Sequence, residues 1–211
     1  MKSFGNWDTQ DLRLTFGLDD TDTSLLLTEW ADYQADISEF EKKEINELRK
    51  DLAALHEAWN EDELKMNFIA PLLRLVHYGA EKRYKAFFQR SLSCKIADIE
   101  MSGIVDMVIA SGWEKPSTPY FFLHEYKQEQ AGKGDARGQL LAAMLTAQAL
   151  NQNEKAIFGV YLVGANWRFV VLENKTYSIK RFDATKEEEL LCIFSMLQWI
   201  KKYIETDLGL T

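Results

Sequence analysis

Asp106 is a single carboxylate in the apolar stretch Gly103-Ile104-Val105-Asp106-Met107-Val108-Ile109. Buried there as an ion, it needs a cation or a metal, because an uncompensated carboxylate is costly to take out of water. A second apolar stretch, Phe121-Phe122-Leu123-His124-Glu125-Tyr126-Lys127, ends in an acidic-x-Lys pattern. Strand alternation puts Phe121, Leu123, Glu125 and Lys127 on one face, so Glu125 and Lys127 emerge side by side. If the two stretches pair as an antiparallel hairpin, Asp106 falls beside Glu125, giving two carboxylates and one ammonium at a sheet edge. That set suits metal-dependent phosphodiester hydrolysis. Asp106, Glu125 and the Tyr126 backbone carbonyl are hard oxygen ligands for Mg²⁺, with Mn²⁺ as a substitute. The ion would acidify a bound water, while Lys127 orients that water and stabilises charge on the phosphate. The purely structural alternative is an Asp106–Lys127 salt bridge with Glu125 ending its strand in solvent.

The elements that must position these residues are legible from periodicity. Asp22-Thr23-Ser24 offers caps for a short helix reaching about Tyr33, and Ser38 with Glu41 forms a capping-box pattern for a longer helix, Glu39 to His56. Asn60 opens a third helix carrying Leu64, Phe68, Leu72, Leu75 and Val76, with a kink expected at Pro71. After Gly79 the period drops to two. Strands are expected over 86–92, 96–109 with an interruption near Gly103, 120–126, 156–163, 167–172 and 177–182. A glycine-rich loop, Ala131 to Gly138, precedes a buried helix from Gln139 to about Leu150, and an amphipathic helix from Lys186 to Ile204 closes the chain. The order predicts a mixed α/β domain with a central mixed sheet. Residues 1–59 read as an acidic helical extension packed on a core domain spanning 60–211.

With its Asp, acidic-x-Lys and element order, the chain resembles the PD-(D/E)XK, or restriction-endonuclease-like, nuclease superfamily over residues 60 to about 172. Val105 stands where the name-giving proline would be. The resemblance implies an αβββαβ core and a metal-dependent DNA nuclease using Asp106, Glu125 and Lys127, and an additional acid on the first core helix. Glu63 matches that acid, Glu61 competes for the assignment, and helix capping competes with both. Gln139 matches a polar position on the later helix of the family, although Ala143 replaces the tyrosine that often follows four residues on. A catalytically inactive, nuclease-like binding or interaction module is the alternative implied function.

Lys133 and Arg137, beside a helix N-terminus, are candidates for phosphate contacts. Lys85 and Arg90, in the basic and aromatic run Lys82 to Arg90, are candidates for tracking a nucleic-acid backbone; their alternative role is to discourage edge-strand aggregation. His56, His77 and His124 have no ligand spacing, and the six tryptophans read as packing residues.

Composition frames these expectations. The 211-residue chain is 46% hydrophobic and carries a formal charge of −8, which at face value argues against nucleic acid. The charge is divided: residues 1–65 hold 17 acidic against 7 basic side chains, and residues 66–211 hold 16 against 18. A net of −10 thus precedes a net of +2, leaving room for a basic working face and for DNA, or RNA, as partner. No apolar run spans a membrane, and no signal-peptide pattern opens the chain. Cys94 and Cys192 lack disulfide or zinc spacing, so a reducing, cytoplasmic setting is expected. A homodimer is left open.

Overall fold

The computed structural model describes residues 2–127 and 135–210. One mixed sheet separates two layers of helices. Its nine strands among the described residues are β1 (Lys2–Ser3), β2 (Asp19–Asp20), β3 (Gly79–Ala80), β4 (Tyr84–Ile96), β5 (Ile99–Ser111), β6 (Ser117–Lys127), β7 (Ile157–Val163), β8 (Asn166–Glu173) and β9 (Thr176–Asp183). They run in the order β2-β9-β8-β7-β6-β5-β4-β3, with β1 alongside β5. The helices are α1 (Thr9–Phe16), α2 (Leu25–Asp32), α3 (Glu39–Leu55), α4 (Glu61–Leu64), α5 (Ala70–Val76), α6 (Ala136–Asn151) and α7 (Glu187–Asp207). A π-helical turn, Lys65–Ile69, joins α4 to α5.

At the centre, β4, β5 and β6 form an antiparallel meander, α6 crosses over, and β7 returns parallel to β6. A parallel return requires such a crossover. Alternation along β6 sends Phe122 and Tyr126 into a core shared with α2, α3, α5 and α7, and Leu123 into a second core beneath α6 and α1. The two faces are apolar for most of their length. The charged residues of β6, Glu125 and Lys127, lie at its carboxyl end.

Strand bounds differ from the periodicity reading at the first hairpin. Its turn falls at Ala97–Asp98, both with positive φ (47° and 65°), so β4 extends to Ile96 and β5 begins at Ile99. The interruption expected near Gly103 lies elsewhere: the β4–β5 ladder skips Gln89 and Asp106, between the pairs Phe88↔Met107 and Arg90↔Val105. Gly103 serves packing, since a Cβ there would run into the Phe4 ring. Pro71 produces no break; it sits in the first turn of α5, just after the π turn.

Residues 1–59 are built into both cores. Phe4, Trp7, Leu12 and Phe16 fill the α6 side, and β1 pairs with β5. Trp30 of α2 lies at the centre of the opposite side. Its ring meets Phe122, Phe158 and Phe169 edge-on at 5.9, 5.1 and 5.1 Å, and its Nε1 donates to the Met196 carbonyl at 2.7 Å. Short helix α1 escapes the periodicity reading because only Leu12 and Phe16 mark its buried stripe. Gly138, in the first turns of α6, lets the Trp7–Asp8 backbone approach; a Cβ would meet the Trp7 carbonyl and the Asp8 Cα. Gly→Ala inside a helix ordinarily stabilises by roughly 0.5–1 kcal/mol. Gly138→Ala is expected to reverse that sign and destabilise by about 1–3 kcal/mol through overpacking, read as a lower urea midpoint with an unchanged m-value.

Candidate active site

The skipped pair in the β4–β5 ladder is what frees Asp106. Gln89 adopts φ 50° and turns its amide Nε2 onto Asp106 Oδ1 at 2.8 Å, while the Tyr126 backbone N–H donates to Asp106 Oδ2 at 2.9 Å. Across β5–β6 the register Met107↔His124 and Val108↔Leu123 sets Asp106 next to Glu125 as the hairpin reading anticipates. Lys127, on the same face as Glu125, donates its Nζ to Glu125 Oε1 at 2.9 Å. Its carbonyl accepts from Gly164 N at 2.9 Å, which ties the end of β6 to the β7–β8 turn.

The partner of Asp106 is Lys65, not Lys127. From the π turn, Lys65 Nζ reaches Asp106 Oδ1 at 2.9 Å and Glu61 Oε1 at 2.6 Å. The simple salt-bridge alternative is thereby corrected: Lys127 pairs with Glu125, and Glu125 is 2% exposed rather than solvated. Burial, and then the charge of Asp106, push the Glu125 carboxyl up to about 7, with Lys127 working in the opposite direction. Burial works to lower Lys65 and Lys127, yet both lie above the ordinary lysine value: Glu61 and Asp106 hold Lys65 charged, and Glu125 does the same for Lys127. The charge of Glu61 also acts on Glu125 and Lys127. The site is therefore a compact set of three carboxylates and two ammonium groups. A cleft of about 530 Å³ opens beside it, lined by Glu61, Lys65, Met66, Phe88, Gln89 and Tyr126 among others.

Glu63 does not join this set. Its Oε2 accepts from Asn60 N at 2.8 Å, and its own N–H donates to Asn60 Oδ1 at 2.9 Å, a complete capping box that opens α4. Two residues earlier on the helix, Glu61 takes the place expected for Glu63. Gln139 lies against Gly5, and no hydrogen bond joins it to Asp106, Glu125 or Lys127. Arg137 donates Nε to Thr9 Oγ1 at 3.0 Å. Lys85 sits over the rings of Phe87 and Trp113 at 5.0 and 5.2 Å, and Arg90 lies 6.0 Å from Phe87, along an edge where β3 covers only Tyr84 and Lys85. Lys133 lies outside the described residues. Periodicity missed Lys65 and Gln89; for Lys65 the one signal in the sequence is its i,i+4 spacing from Glu61. No protein-family model and no curated protein sequence matches the chain.

Asp106 and Glu125 supply the hard anionic oxygens that a divalent ion of the Mg²⁺ type accepts. Among the described residues, no three His, Cys, Asp or Glu side chains converge tightly enough to hold a metal by themselves. An ion held here would have Asp106 and Glu125 as its carboxylate donors and would keep several waters. Lys65 occupies Asp106 Oδ1 and would compete with the ion for that oxygen.

Burial of Glu125 has a measurable consequence in metal-free protein. Above about pH 4.5 the unfolded chain releases the Glu125 proton, whereas the folded chain holds it until about pH 7. The folded state thus binds more protons, and stability falls as pH rises across that window, by on the order of 3 kcal/mol for this group. Glu125→Gln removes this dependence. Urea midpoints measured in chelator at pH 5 and pH 8 are expected to differ less in the variant than in the parent chain; equal differences would show that Glu125 is ionised throughout.

Proposed function

We propose that the chain is a metal-dependent phosphodiesterase acting on DNA, of the PD-(D/E)XK type that its sequence resembles. The observation that carries the reading is the convergence of Asp106 from β5 with Glu125 and Lys127 from β6 at a buried strand end, with Lys65 and Glu61 completing the charge balance. The order helix, three antiparallel strands, crossover helix, parallel strand supports the same reading.

In this proposal Asp106 and Glu125 hold Mg²⁺ or Mn²⁺, with the Tyr126 carbonyl as a further donor. The ion, when bound, polarises a phosphoryl oxygen and acidifies water. Lys127 holds a proton at Nζ and donates to the attacking water or to a phosphate oxygen, where its fixed charge opposes the charge that builds in the transition state. Tyr126 N–H fixes Asp106 in orientation. Glu61 keeps Lys65 paired when Asp106 Oδ1 is engaged elsewhere. Glu125, about half protonated near pH 7 without a cation, gives up that proton when it becomes a ligand, so affinity for the ion rises with pH.

With Mg²⁺ or Mn²⁺ the full chain is expected to cleave labelled DNA, and Asp106→Ala and Lys127→Ala to lower the rate by roughly 10²–10³-fold or more while leaving the circular dichroism spectrum unchanged. Glu63→Ala is expected to lose about 1 kcal/mol of stability with its cap and to keep its cleavage rate. Equal rates in the parent, Asp106→Ala and Lys127→Ala proteins would overturn the reading.

One observation favours a second reading, a noncatalytic nuclease-like binding module: both carboxylates are neutralised by lysines without any metal. Calorimetric titration with Mn²⁺ separates the two. Binding lost in Asp106→Ala and Glu125→Ala supports the enzyme, and no binding to the parent chain supports the module.

A further inference from the structure

Glu125 lies in a cross-strand row that continues beyond the site. Register pairs it with Tyr161 on β7, Tyr161 with Arg168 on β8, and Arg168 with Arg181 on β9. Residues directly opposite in neighbouring strands project from the same face. The cores agree with that placement. Leu123 and Val170, each two residues from a member of the row, belong to the core beneath α6, and Ile179 packs against it.

A third arginine joins from the helix above. Arg168 lies directly opposite Tyr161 and Arg181 opposite Arg168, while Arg137 stands in the first turn of α6; in accord with that placement, burial raises the Tyr161 phenol and the charges of all three arginines work against the rise. None of the three forms an ion pair among the described residues. Arg137 is held by Thr9 Oγ1, and Arg168 donates Nη1 to the Trp167 carbonyl at 3.0 Å. Asp135 is linked to Arg137 through Thr9, accepting from Thr9 N and Oγ1 while Arg137 Nε donates to the same Oγ1, and Asp183 accepts from Thr185 and lies 3.7 Å from Lys186. Among the described residues, three always-charged, planar donors are thus left without a direct ion-pair partner, in line with Glu125. Phosphodiester oxygens match such groups in charge and in forked geometry.

We propose that Arg137, Arg168 and Arg181 form a phosphate-binding track that carries a nucleic-acid strand away from Glu125 across β7, β8 and β9. Three strand spacings separate Glu125 from Arg181, about 14 Å. At the axial rise of about 3.4 Å per nucleotide of a stacked helix, that distance corresponds to at most about four nucleotides on one side of the scissile bond, and to fewer for an extended single strand. The track, rather than the Lys85 and Arg90 edge, supplies the principal backbone contacts. Its direction relative to cleavage rests on the proposed function, whereas the binding itself does not.

The test is anisotropy of a fluorescein-labelled single-stranded oligonucleotide with the full chain in chelator, where no metal chemistry occurs, over a range of salt concentrations. Arg168→Ala and Arg181→Ala are each expected to weaken binding by about an order of magnitude near 0.1 M salt and to lower the slope of log K against log salt by about 1. Arg168→Lys and Arg181→Lys are expected to keep most of that slope, which separates charge from packing. Lys85→Ala/Arg90→Ala is expected to have the smaller effect. An unchanged affinity and slope in Arg168→Ala/Arg181→Ala, a loss confined to Lys85→Ala/Arg90→Ala, or no binding by the parent chain would each overturn the track. Arginine-dependent binding without metal-dependent cleavage would uphold the track and sink the nuclease reading alone.

Discussion

The buried Glu125 carboxylate beside Asp106 is the constraint around which this end of the molecule is organised. Two like charges in a poorly hydrated site repel strongly, and burial adds to the cost of keeping both ionised. The chain answers with a lysine for each acid, Lys127 for Glu125 and Lys65 for Asp106, and with two further donors on Asp106, from Gln89 and Tyr126 N. The balance is incomplete, because Glu61 adds a third negative charge and Glu125 is still pushed up to about 7. A site left with surplus acid and a group poised near neutrality favours an incoming cation, and perturbed groups of this kind cluster where chemistry is done. The same imbalance explains why the π turn matters: it aims Lys65 at Asp106 from the first core helix.

Much of this arrangement could be read from the sequence, since it rests on alternation. Leu123, Glu125 and Lys127 share a face by period two alone, and the Asp106 proximity follows from a hairpin joining adjacent apolar runs. What escaped depends on geometry with no local signature. Glu61 and Glu63 are both acids in the first turn of one helix; only the three-dimensional cap shows that Asn60 consumes Glu63 and leaves Glu61 to Lys65. Gln89 requires a skipped ladder pair and a positive φ on a residue that carries no turn signal. The alignment of Arg168 and Arg181 with Glu125 depends on the registers of three strand pairs, and a one-residue slip in any of them would move an arginine to the other face.

The division of charge along the chain has a physical sense different from the one its magnitude invites. Among the described residues, the ion pairs of segment 1–59 are local, Lys2–Asp11, Arg13–Asp19, Lys42–Glu39 and Lys50–Glu47. Its apolar residues are structural: Phe4 and Trp7 close one core and Trp30 the other. The segment is therefore part of the folding unit rather than a removable extension, and its acids occupy solvated helix faces. Any electrostatic influence on a nucleic acid would act through the long-range field, which salt screens within about 10 Å at 0.1 M.

The position of the site follows from topology as well as from charge. In an otherwise antiparallel centre, β6 and β7 are the long parallel pair, so their carboxyl ends and the N-terminus of the intervening α6 share one end of the sheet. Backbone N–H groups at a helix start and the ends of parallel strands form a crevice that side chains from several strands can enter. Glu125 and Lys127 lie at the end of β6, Tyr161 near the end of β7, and Arg137 in the first turn of α6. Arg168 and Arg181 extend the same row because β8 and β9 continue the sheet in antiparallel register. The acidic cluster and the arginine row are thus consecutive parts of one polar edge, flanked by the apolar cores on either side of the sheet.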